Sequence, residues 1–146
     1  MTDNAKPQKP VPQPAEYPHK VAEIVRFADL DPQGHVNQAT YATYFESGRV
    51  GMFRDRTLGV GVPGITFVLV RQEIDYFKEL HWPGSIEVGS AILDFGRSSF
   101  HVAQAVFKDG ACMAAGKSTM VCIDLKSRKA VPLPDAAIKH LSQWKK

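Results

Sequence analysis

Along the chain, apolar and polar residues first show no pattern and then show two different periods. Residues 1–19 hold five of the ten prolines and almost nothing large and apolar. That composition predicts a mobile, polyproline-rich tail, with ordered structure from Lys20 onward. VAEIVRFA (21–28) then sets Val21, Glu23, Val25 and Phe27 against Ala22, Ile24 and Arg26, the alternation of a strand. In QATYATYFESGRVGMFRDR (38–56) the period lengthens. Tyr41, Phe45, Gly48 and Met52 recur at steps of four, three and four, with Tyr44 beside them, which predicts a helix. Ala39, Ala42, Ser47, Gly48 and Gly51 make that helix slim. Each glycine costs about 1 kcal/mol relative to alanine in a helix, so close approach by a sheet or another helix is expected to offset it.

The rest of the chain is mostly extended. LGVGVPG (58–64) is a Gly/Pro loop, and ITFVLVRQEIDYFKEL (65–80) reads as a long strand kinked around Gln72. HWPG (81–84) is a turn; strands follow over 85–95 and 98–108, separated by Gly96-Arg97. Asp109-Gly110 signals a type I′ hairpin into a strand over 111–125. LPDAAIKHLSQW (133–144) predicts a short helix with Pro134 in its first turn. The order is strand, long helix, four antiparallel strands, short helix. Such segregation means an α+β class rather than a doubly wound sheet, with about five strands curled around one helix. A chain of 146 residues suits a single domain of this kind.

Composition narrows the function classes only slightly. A net charge of +3, with no predicted element concentrating Lys and Arg on one face, argues against nucleic-acid binding. No apolar run is long enough to span a membrane, and the first twenty residues lack the apolar core of a secretory signal. Cys112 and Cys122 fall ten residues apart in one predicted strand, beyond disulfide reach unless that strand folds back on itself. Buried thiols in a reducing cytoplasm are expected.

The densest chemistry lies in DLDPQGHVNQATY (29–41). Asp29, Asp31 and Gly34 imitate the opening of an EF-hand loop, but Gln33 stands at loop position 5 and Thr40 where a bidentate Glu belongs. The element before it is also a strand. No metal and no cofactor are expected. Asp, Pro, Gly and Asn are equally the residues of an ordinary strand-to-helix connection, with Asn37 as N-cap and His35 as a hydrogen-bonded structural histidine. Geometry allows more. A helix start presents free N–H groups and a positive dipole end, which can hold an oxyanion. A carboxylate folded back onto that point by a Pro/Gly turn completes a kit for acyl transfer.

The run F-A-D-L-D-P-Q-G-H-V-N-Q-A-T-Y-x-x-Y-F-E-x-x-R (27–49) resembles the hotdog-fold acyl-CoA thioesterases of the 4-hydroxybenzoyl-CoA thioesterase type. The later strands, the VCIDLKSRKAVPLP ending and the terminal helix extend the likeness over roughly residues 20–144. The resemblance implies a five-stranded antiparallel sheet wrapped around a long helix, and homodimers or homotetramers with active sites between subunits. It places the catalytic carboxylate on Asp31 and the carbonyl-polarising amide on Gln38, leaving Asp29 structural. The H-V-N version also resembles plant-type acyl-carrier-protein thioesterases, which adds His35 as water positioner or proton shuttle and Asn37 as orienter or cap. Arg97, with Ser98 and Ser99, matches a position where relatives hold CoA phosphates, although here Gly96, Ser98 and Ser99 supply no further positive charge; a solvated turn residue is the other reading. Tyr41, Tyr44 and Phe45 are expected to line the acyl site with loop 58–64.

Acyl-CoA hydrolysis is thus the leading expectation. Hydrolysis of an acyl-carrier-protein thioester and non-catalytic acyl-CoA or lipid binding by the same cleft are the alternatives. A helical glutamate, Glu46, is a lesser candidate for catalysis, with pairing to Arg49 or to a neighbouring strand as its ordinary reading. HWPG resembles a motif of hotdog dehydratases but stands between strands, not before the long helix, so dehydratase chemistry is disfavoured.

Overall fold

The computed structural model describes residues 9–54 and 62–146. Residues 1–8 of the expected tail, the last two residues of the helix expected over 38–56, and most of loop 58–64 lie outside these ranges. Five strands, β1 (His19–Val25), β2 (Ile65–Tyr76), β3 (Gly84–Phe95), β4 (Ser99–Lys108) and β5 (Ala111–Asp124), form one antiparallel sheet in the order β1-β3-β4-β5-β2. The long helix α1 (Thr40–Arg54) packs on β1, β3 and β4, and the short helix α2 (Asp135–Ser142) closes the far end. This is the hotdog architecture the sequence predicts.

The small residues of α1 explain how closely it sits. A methyl group added at Gly48 would come within 2.7 Å of Gln104 Nε2 and Val88 Cγ1, and one at Gly51 within 2.6 Å of Val21 Cγ2. Around these contacts Tyr41, Tyr44, Phe45 and Met52 bury the apolar stripe against the sheet. Arg49 is buried on the same face, 4% exposed, and bonds Gln104 Oε1 at 3.1 Å and Ser118 Oγ at 3.2 Å. Gln104 in turn donates to Ser90 Oγ and to the Phe45 carbonyl. The guanidinium therefore bonds inward to neutral acceptors, while the exposed Glu46 carboxylate acts on it through its charge alone.

Element ends differ from the expected ones for local reasons. β1 stops at Val25 because the Asp29 carboxylate accepts the Arg26 N–H at 2.9 Å and turns Phe27–Asp29 into one tight helical turn. β2 carries its irregularity between Leu69 and Arg71, just before the expected kink, and ends at Tyr76 because the Phe77 and Lys78 amides both turn to the Met113 carbonyl. The tail is anchored earlier than its composition predicts: Tyr17 is buried against Phe107, their ring centroids 5.7 Å apart, and Glu16 pairs with Lys146 at 3.4 Å. A single aromatic residue in a proline-rich run is enough to dock it. Cys112 and Cys122 are free and buried in β5, and burial pushes the Cys112 thiol up to about 11.

Because α1 leans on β1, β3 and β4, β2 stands away from the helix. Between them runs a trough of about 330 Å³, lined by Val50, Phe53, Phe67 and Leu69 with Glu46 and Arg49. No helix among the described residues is long and apolar enough to cross a membrane.

Candidate active site

The connector between β1 and α1 is built from its own side chains. Asp31 and His35 bracket a turn in which Asp31 N–H donates to the His35 carbonyl at 2.8 Å and Gly34 N–H to the Asp31 carbonyl at 3.0 Å. Gly34 takes a left-handed φ of 87°, which lets the chain reverse here. Asp31 Oδ1 accepts the Gln33 and His35 amides at 2.9 and 3.3 Å. One carboxylate oxygen is thus fixed by backbone, and the other has no protein partner among the described residues.

Asp29 does structural work beneath this turn. Its Oδ2 accepts the Tyr44 hydroxyl at 2.8 Å as well as the Arg26 amide, and its carbonyl accepts Asn37 N–H at 2.8 Å. Burial, followed by the hydrogen bond to the Asp29 carboxylate, pushes the Tyr44 hydroxyl pKa well above its usual value.

The helix start exposes one amide and occupies its neighbours. Asn37 Oδ1 accepts Ala39 N–H at 2.9 Å, and the Asn37 carbonyl accepts Thr40 N–H at 2.9 Å, so residues 37–40 form a hydrogen-bonded turn before α1. The Gln38 N–H between them has no acceptor among the described residues. Its carbonyl is held by the Tyr76 hydroxyl at 3.0 Å, which ties the turn to β2. Asp31, His35, Asn37, Gln38, Tyr41 and Tyr76 line a cleft of about 300 Å³, with Lys78, Glu79 and Leu80 on its other side. A carboxylate oxygen and a free amide in one cleft can, respectively, attack or deprotonate and stabilise a developing oxyanion.

The structure brings Asp31, His35, Asn37, Gln38 and Tyr41 together, and does not bring the other expected residues to this cleft. Tyr44 and Phe45, buried as deeply as Tyr41, fill the core between α1 and the sheet and do not line the cleft. Arg97, Ser98 and Ser99 form the β3–β4 turn, where their carbonyls accept Leu133, Cys122 and Gly96 amides. That turn lies at the end of β3 remote from Gly84, and twelve residues of strand put it on the order of 35 Å from the Asp31 end of the same chain. Tyr76, Lys78, Glu79 and Leu80 escaped the sequence reading because they lie some forty residues later, within the run read as one long strand, and carry no motif. The one signal available was polar residues clustered just before the HWPG turn.

The thioesterase-like superfamily model matches residues 25–144. The chain belongs to the thioesterase-like superfamily. Long-chain acyl-CoA thioesterase FadM of Escherichia coli K12 is 29% identical over 126 residues, covering 84% of this chain and 96% of FadM. The crystal structure of the PA5185 protein of Pseudomonas aeruginosa PAO1 is 27% identical with a TM-score of 0.85, covering 93% of this chain and 97% of that one. A thioesterase of Thermus thermophilus, solved in complex with coenzyme A and Zn, is 32% identical with a TM-score of 0.75, covering 88% and 94% of the two chains. This hotdog protein is accordingly a thioester hydrolase related to acyl-CoA thioesterases.

Proposed function

We propose that the protein hydrolyses acyl-CoA thioesters to a carboxylic acid and free CoA, with Asp31 and the Gln38 amide as its working groups. One observation carries the reading: an Asp31 oxygen and an N–H, both without protein partners among the described residues, share one cleft at the start of α1. The names of FadM and of the CoA-bound Thermus enzyme support a CoA thioester as substrate.

In this reading the thioester carbonyl oxygen accepts from Gln38 N–H, with the positive end of α1 behind it. Asp31 either attacks the carbonyl carbon or removes a proton from a water that does. The oxyanion then collapses, the C–S bond breaks, and CoA leaves as thiolate and takes up a proton. Where Asp31 itself attacked, a water then hydrolyses the resulting mixed anhydride, which releases the acid and restores the carboxylate. Asn37 acts as the cap that occupies the Ala39 and Thr40 amides and leaves Gln38 free. His35 fixes Asp31 through its backbone amide. The acyl group occupies the trough between α1 and β2.

A homodimer suits this arrangement. β2 ends the sheet with Leu69, Val70 and Tyr76 exposed at 43%, 58% and 50%. Antiparallel pairing of two β2 edges would set the Ile65 end of one copy, where its Arg97 turn lies, beside the Tyr76 end of the other, where Asp31 lies. The partner copy would then supply the phosphate-binding turn that the same chain cannot. Wild-type protein and Asp31→Asn, incubated with an acyl-CoA panel and a thiol reagent, test the assignment. CoA release is expected from the wild type and a fall on the order of 10²–10⁴ in the variant. Near wild-type turnover by Asp31→Asn would remove Asp31 from the mechanism, and binding without release would favour the non-catalytic reading.

A further inference from the structure

We propose that His35, Glu79 and His81 form a binding site for a divalent transition-metal ion of the zinc class at the rim of the cleft. The backbone assembles this trio. His35 and His81 face each other across an isolated antiparallel bridge, and the Val36 N–H donates to the Leu80 carbonyl at 2.8 Å. In extended chain, residues two apart share a face. Glu79 and His81 therefore point to one side, and Leu80, 1% exposed, is buried on the other. His35 lies opposite them while its neighbour Val36 is buried.

The donor atoms converge. His35 Nε2 lies 3.2 Å and His81 Nε2 3.8 Å from the same Glu79 oxygen, the two rings are 5.2 Å apart centre to centre, and one ligand atom from each residue falls within 4.8 Å of the others. A tetrahedral ion with bonds of about 2.0–2.1 Å needs donors roughly 3.3–3.4 Å apart. The pair through His35 already meets that spacing, and Glu79 and His81, exposed at 65% and 57%, are free to rotate the small remainder. Two imidazoles and one carboxylate favour zinc, cobalt, nickel or iron over magnesium and calcium, which take oxygen. Three protein ligands leave a fourth position open for water or a ligand atom. His35 and Glu79 also line the cleft, so that position borders the space where a substrate would enter.

The same three groups without a metal are an ion-paired cluster, and titration of the full-length protein separates the two. Protein stripped with a chelator and dialysed is titrated with Co²⁺ and followed by its visible ligand-field absorption, then back-titrated with Zn²⁺. We expect one equivalent of Co²⁺ to give an intense spectrum of low coordination number that Zn²⁺ abolishes. Glu79→Gln and His81→Asn, both on exposed side chains, should each weaken binding by more than the ~10–100-fold lost when a residue that only hydrogen-bonds to a metal ligand is removed. Circular dichroism confirms that each variant is folded. A pale, non-saturating spectrum, or wild-type affinity in both folded variants, overturns the site. Neither result depends on Asp31 or on thioester turnover.

Discussion

Replacing Gln38 by proline deletes a single hydrogen atom of interest. Gln38 is the second residue of the turn closed by Thr40 N–H and the Asn37 carbonyl at 2.9 Å, the position at which turns favour proline. Its own N–H has no acceptor among the described residues, so the fold gives up no hydrogen bond, and its carbonyl remains available to Tyr76. Fixing φ there limits the unfolded chain and alters stability by no more than about 1 kcal/mol. Chemistry is affected differently. If this amide holds the oxyanion, its loss removes about 2.7–4 kcal/mol of transition-state stabilisation, a factor on the order of 10²–10³ in kcat. The informative comparison is with Gln38→Ala, which loses the side chain and keeps the N–H. Steady-state CoA release should show Gln38→Pro slower than Gln38→Ala by that factor, with KM changed far less. Thermal unfolding of both variants establishes that they remain folded. A folded Gln38→Pro enzyme that matches Gln38→Ala in kcat would refute the assignment of the oxyanion site to this amide.

Two further outcomes follow from the packing. Gly48→Ala gains about 1 kcal/mol in helix propensity, yet its methyl would meet Gln104 and Val88 at 2.7 Å and Ser90 at 3.0 Å; overpacking costs about 1–3 kcal/mol, so chemical denaturation should show net destabilisation. In alkali, Tyr44 and Tyr41 are held protonated in the folded state, chiefly by burial, with the Tyr41 pKa pushed up to about 12. The unfolded chain ionises its tyrosines near pH 10, so it binds fewer protons than the folded state above that pH, and stability falls as pH rises from about 10 toward 12. Tyrosinate absorbance and circular dichroism should therefore change together over that range, and ionisation of all four tyrosines near pH 10 without unfolding would contradict it.

Local information carried the reading of the sequence a long way. The helix period over Tyr41, Phe45, Gly48 and Met52, the Asp109-Gly110 hairpin and the strand alternations each depend on neighbours a few residues apart, and the strands and helices lie where those periods place them. The proposed pair of Asp31 and Gln38 lies seven residues apart within one short segment, so the motif that carries the family resemblance contains both. The glycines along α1 also announced close approach, since packing is what offsets their cost.

Long-range pairing was not written in any such segment. The sequence offers Glu46 as a partner for Arg49, and its charge does act there, but only the fold brings Gln104 and Ser118 of β4 and β5 to hydrogen-bond the guanidinium. Tyr44 and Phe45 share the helical stripe with Tyr41, but of the three only Tyr41, nearest the start of α1, lines the cleft. Glu79 and His81 meet His35 through a bridge across more than forty residues. Periodicity says which face of an element is apolar; it says nothing about what that face will touch. Chain entropy makes distant contacts a property of the whole fold, and for this protein the order and register of the strands and the His35–His81 bridge set them.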